Sequence, residues 1–138
     1  MKRLRLTAVI IIALVAAGTV AAQTEKNLTS TPKSFQTFYA KFRAAVTKRD
    51  KNAIVAMTSF PFQYGWDAGD EGTYTKSQFL RKYNDIFDAS GRKLFAKSNP
   101  KVMIDGASYS VNNEAEAAGY SFIKKGSKYY FASIIVEP

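Results

Sequence analysis

The side chains best able to do chemistry in this chain crowd into one short stretch. Tyr64 and Trp66 alternate along an aromatic run that begins at Phe60, and Asp67, Asp70 and Glu71 follow at once. An aspartate next to a tyrosine is the material of proton transfer, provided that burial tunes the carboxyl toward the working pH. Asp67, directly after the aromatic run, is therefore the candidate acid or base of a small isomerase or hydrolase, with Tyr64 as its partner. The three carboxylates also offer oxygens to a hard cation, but they lack the alternating ligands and terminal glutamate of a calcium loop, so a solvated turn is expected and no metal. The other acids, Glu25, Asp50, Asp85, Asp88, Asp105, Glu114, Glu116 and Glu137, fall where a leader, helix caps, turns or outer helix faces are expected. Asp105 precedes a glycine and belongs to a turn. No acid and base stand at a spacing that builds a reaction centre, so the expectation is a non-catalytic protein with no cofactor.

The chain contains neither cysteine nor histidine. That excludes disulfides, thiol catalysis, zinc held by cysteine or histidine, and any mechanism with imidazole as the base.

The elements that must position these residues begin after an export signal. Lys2, Arg3 and Arg5 precede an apolar run from Leu6 to Ala22, and Val20, Ala21 and Ala22 are the small residues a signal peptidase accepts. Residues 1–22 are read as a signal peptide cleaved after Ala22, which makes the protein periplasmic or secreted. Three of the twenty basic residues belong to it, so the mature chain carries +6 rather than +9. Residues 23–31 read as a flexible leader, and 32–138 as one domain with enough chain to build its own core.

Thr31 and Pro32 mark a helix start, and Phe35, Phe38, Tyr39, Phe42, Ala45 and Val46 recur at helical spacing behind it. Asp50 caps a second helix over Lys51 to Thr58. In Phe60, Phe62, Tyr64 and Trp66 the period changes to two, which predicts a strand with its aromatics on one face; Pro61 argues for an edge strand or a strand start. Thr73 and Tyr74 begin the return strand of a hairpin. Thr75 and Gln78 form a capping box for a third helix, Lys76 to Phe87, which Gly91 closes. Strands follow over Val102–Ile104, Ser108–Val111, Ala117–Lys124 and Lys128–Val136, with turns at Asp105 and Gly106, at Asn112 and Asn113, and near Gly126. The class is α+β, three helices packed on one face of a curved antiparallel sheet.

Two helices, the phenylalanine-proline segment Phe60 to Phe62, a third helix over Lys76 to Phe87 and a Lys124 to Lys128 hairpin before Tyr129 to Glu137 together resemble the nuclear transport factor 2-like superfamily. That is the cone-shaped fold shared with ketosteroid isomerase, here in a small exported bacterial form. The likeness spans nearly the whole mature chain. It implies a conical pocket lined by residues from among Phe42, Tyr64, Trp66, Tyr83, Phe87, Tyr109, Tyr120 and Phe122.

The resulting expectation is an exported, non-catalytic domain that binds a small apolar or amphipathic ligand, or an envelope protein, through an aromatic cavity. An enzyme using Asp67 and a tyrosine is one alternative, and a structural module that forms homodimers through its sheet is another. The basic excess suits an anionic envelope surface, since an exported protein rarely meets nucleic acid.

Overall fold

The structure, a computed structural model, describes residues 23–137; the expected signal peptide and its cleavage site lie outside the described residues. Strand β1 (Thr24–Asn27) and a 3-10 turn at Leu28–Ser30 replace the leader expected at 23–31. The segment is exposed along β1, yet it pairs antiparallel with a later strand and anchors through the buried Leu28. Backbone pairing with an open sheet edge needs no apolar pattern, so a polar sequence gave no sign of it.

Helix α1 (Lys33–Lys48) buries Phe35, Tyr39, Phe42, Ala45 and Val46, as their spacing requires, and stops where Arg49 turns left-handed at φ 53°. Thr31 does not cap it: its hydroxyl donates to the Leu28 carbonyl at 2.6 Å, and Pro32 takes the cap position. Helix α2 (Lys51–Ala56) starts at Asp50, whose carboxylate accepts from the Ala53 amide. It ends short of Thr58 because that residue opens strand β2 (Thr58–Trp66), which forms a hairpin with β3 (Asp70–Tyr74).

The single helix expected over Lys76 to Phe87 is two, and a third follows it. Thr75 and Gln78 make both halves of the capping box at the start of α3 (Lys76–Arg81). Lys82 breaks the helix before α4 (Tyr83–Ile86), and Asp88 caps α5 (Ala89–Ala96) by accepting from the Gly91 amide at 2.7 Å. Gly91 thus lies inside a helix and does not end one. The Tyr120 hydroxyl, which donates to the Ile86 carbonyl at 3.0 Å, occupies the space that a Cβ on residue 91 would need.

Strands β4 (Lys101–Asp105), β5 (Ser108–Asn113), β6 (Ala118–Lys125) and β7 (Lys128–Val136) complete a seven-stranded sheet of order β1-β4-β5-β6-β7-β2-β3. The meander from β4 to β7 is antiparallel as expected, but β2 runs parallel to β7, so the sheet is mixed. With β1 preceding the helices, the chain does not run as three helices and then a sheet. Strand β2 is also internal rather than an edge. Pro61 is tolerated because it falls where the β2–β7 register shifts between Thr58 and Gln63, and β3 pairing begins only at Phe62. The turn expected at Asn112 and Asn113 lies further on, at Glu114–Glu116 and the left-handed Ala117 (φ 50°). Asn113 stays in β5 opposite Ala118, where its buried amide donates to the Ser90 hydroxyl at 2.6 Å.

Candidate functional site

The pocket-lining aromatics expected from the sequence divide between one buried cluster and its half-buried margin. Phe42, Phe87, Tyr120 and Phe122 belong to the interior between the helices and the sheet, all of them at most 1% exposed. There the rings close on one another: Phe42 meets Phe122 edge-on at 5.1 Å between centroids, Phe87 stacks with Tyr120 at 6.4 Å, and Phe131 lies 5.5 Å from Phe122. Tyr83, 3% exposed, extends the group through Phe87 at 5.2 Å. Tyr109 joins it through Phe35, on which it stacks at 4.3 Å and which meets Phe122 edge-on, and is itself edge-on to Tyr129 at 5.5 Å. Edge-to-face and offset rings at these separations are dense packing. The grooves found among the described residues lie at the surface, and none is lined by these six residues.

Tyr64 and Trp66 make a second group, on the β2–β3 hairpin at the margin of that cluster. Tyr64 stacks on Tyr74 at 4.1 Å, and the Trp66 indole donates to the Tyr74 hydroxyl at 2.8 Å. Phe60 and Phe62 both meet Phe79 edge-on, while Tyr64 and Trp66 meet Tyr74, the partner of Phe62 across the hairpin. Both Tyr64 and Trp66 are half-buried, and Trp66 borders a shallow groove of about 390 Å³ with Lys82, Asn84, Asp85 and Asp88. Tyr64 borders another, with Gln63, Glu71, Gly72, Thr73 and Ile135.

Acid chemistry has no enclosed setting. Asp67 is exposed at the start of a 3-10 turn (Asp67–Gly69), and every other acidic side chain is exposed except Asp88, which is half-buried and committed to its cap. Among the described residues no three acidic side chains come together to hold a metal. The perturbed titrations are those of tyrosines. Burial raises the Tyr39 and Tyr120 hydroxyls well above the usual tyrosine range, with Asp88 and Glu116 adding to the effect at Tyr120. Tyr83 is raised by burial against the lowering pull of Arg49 and Arg92, and Tyr109 by burial and the neighbouring Tyr129 phenol. Of these, the Tyr120 hydroxyl donates to the Ile86 carbonyl, whereas the buried Tyr39 and Tyr83 hydroxyls have no hydrogen-bond partner among the described residues.

A further surface is the outer face of the sheet, the face that the homodimer alternative would use. Pairing aligns Met103, Ser110, Ser121, Ser133, Gln63 and Thr73 in one row across six strands. A second row runs Asn112, Gly119, Ile135, Gly65 and Glu71, and a third runs Ser108, Ile123 and Tyr130. From β5 to β2 these rows contain no charged residue, although 22% of the chain is charged. Ile135, 43% exposed, is the one large exposed apolar side chain among the described residues. The strand ends differ in sign. Asp70, Glu71, Glu114, Glu116 and Glu137 lie at one end, with Lys101 beside Glu114, and Lys124, Lys125 and Lys128 at the other, with Asp105. The alternation of Tyr109, Val111, Tyr120 and Phe122 with serines, asparagine and glycine was present in the sequence, but only pairing register turns it into a surface.

No family model matches the chain, and no curated protein matches it. One similar solved structure is a protein of unknown function with a cystatin-like fold from Nostoc punctiforme, 12% identical, covering 75% of this chain and 87% of its own, at a TM-score of 0.40.

Proposed function

We propose that this protein is an exported, non-catalytic interaction module that pairs with a second copy of itself across the outer face of its sheet. The observation that carries this reading is the uncharged centre of that face, since depletion of charge at the core of a patch distinguishes interfaces from ordinary surface. A solvated antiparallel face in a protein this basic would ordinarily carry lysines and glutamates. The four strands from β5 to β2, about 4.8 Å apart and up to nine residues long at about 3.3 Å per residue, give a face of several hundred Å². That is comparable with the roughly 800 Å² per partner of a stable interface. A two-fold axis through the serine row would also set the acidic end of each copy against the Lys124, Lys125 and Lys128 end of the other.

The run of helices, hairpin and meander from α1 onward supports assignment to the nuclear transport factor 2-like fold. The packed interior supports a binding role at the surface over ligand capture in a cone, and the exposure of Asp67 argues against proton transfer. Export is the reading of residues 1–22, and intact-mass measurement of protein recovered from the envelope fraction should find a chain beginning at Gln23. In analytical ultracentrifugation the purified protein should sediment as a dimer at micromolar concentration. Ser121→Arg, which places a charge at the centre of the face, should shift it to monomer without unfolding. A wild-type protein that stays monomeric throughout that range overturns the reading.

A further inference from the structure

Between α1, the end of α2 and the start of β7 runs a surface groove of about 340 Å³, outside the aromatic interior. Phe38, Met57, Tyr129 and Tyr130 supply its apolar lining, and Lys41 and Lys128 stand on its borders. Two further lysines crowd the same rings: Lys124 Nζ lies 5.7 Å from the Tyr129 centroid and Lys125 Nζ 5.9 Å from that of Tyr130. No carboxylate lies within ion-pair distance of these four; the ion pair found among the described residues is Lys82 with Asp85, at 3.8 Å. The groove therefore combines apolar walls with positive charge that the fold leaves uncompensated.

That combination selects a ligand. The volume falls within the roughly 300–1,000 Å³ of small-molecule sites. Lysine stems lie along apolar surface while their ammonium groups reach outward, so a narrow hydrocarbon can occupy the trough with its head beside Lys41 or Lys128. A cationic head would meet repulsion there, and a neutral one would leave the charges unanswered. We propose that this groove binds a free single-chain amphiphile with an anionic head, of the fatty carboxylate type. The site shares Tyr130 with the outer face and Lys124, Lys125 and Lys128 with the basic end invoked for self-association, so its test is run on the Ser121→Arg variant as well as on the wild type.

Laurate, titrated below its micelle concentration, is the probe. Calorimetry should show saturable one-to-one binding, and amide shifts should concentrate at Phe38, Met57 and Lys128, with dodecyltrimethylammonium failing to compete. Lys41→Gln combined with Lys128→Gln should weaken binding by roughly tenfold or more, as expected for the loss of charge-assisted contacts. Thr37→Glu, at an exposed groove position, should weaken it at least as much, with the melting temperature of both variants unchanged. Absence of saturable binding, or binding indifferent to both variants, overturns the proposal. So does capture of phosphatidylglycerol vesicles without binding of laurate, which would make the groove a membrane contact.

Discussion

Strand β6 shows the two sides of this molecule residue by residue. Ala118, Tyr120 and Phe122 point inward and are at most 3% exposed, while Gly119, Ser121 and Ile123 between them face outward and are half-buried. The inner side is crowded with rings that fix one another's positions; the outer side is small, uncharged and unconstrained by any helix. Stability therefore belongs to one face, and recognition is free to belong to the other. A single strand serves both because its side chains alternate.

The contrast breaks most sharply if an interior ring is removed. Phe122→Ala should cost about 3–5 kcal/mol in denaturant unfolding, since Phe122 is in ring contact with Phe35, Tyr39, Phe42 and Phe131. Next in size is Gly91→Ala, expected to cost about 1–3 kcal/mol by forcing the Tyr120 hydroxyl from its place against Ile86. In a Tyr120→Phe background most of that cost should vanish, and a double-mutant cycle showing additivity would refute the close contact.

Alkali probes the same interior. Tyr39 and Tyr120 titrate higher in the folded protein than ordinary tyrosines do. Their share of stability is complete below the ordinary value of roughly 10 and is lost as pH rises toward the raised folded values, because the unfolded chain ionises first. Urea midpoints should fall from about pH 10 upward, and phenolate absorbance should lag until the protein unfolds.

Tyr39→Phe should instead stabilise by up to about 1 kcal/mol, because the buried Tyr39 hydroxyl has no hydrogen-bond partner among the described residues. The smallest effect is expected outside: Ser110→Ala, in the outer row, should stay within about 0.5 kcal/mol. A larger loss there would show that the outer face is itself structural.

Much of the fold was legible in advance where physics is local. The α1 stripe, the Asp50 cap, the Thr75 and Gln78 box and the β4 to β7 meander follow from spacing and turn residues. The errors cluster where distant chain decides. β1 is polar and exists through its pairing with β4, and Gly91 is glycine because of Tyr120 rather than because a helix ends there. Pro61 lies inside the sheet because the register against β7 shifts around it. The candidate site was less legible than the fold. Tyr64, Trp66, Tyr83, Phe87, Tyr109, Tyr120 and Phe122 were recognisable as a set of aromatics, yet spacing cannot distinguish a ring that lines a cavity from one that fills it.

What the sequence determined by itself is the chemistry that this protein lacks and the faces that its elements bury: no thiol, no imidazole, and aromatics at helical and alternate-residue spacing. Both are properties of residue type and near neighbours. Tertiary structure alone decided that β2 joins β7 in parallel, that the aromatic interior closes on itself, and that serines from three strands form one row. Those outcomes depend on which segments meet across long stretches of chain, and no local preference encodes that.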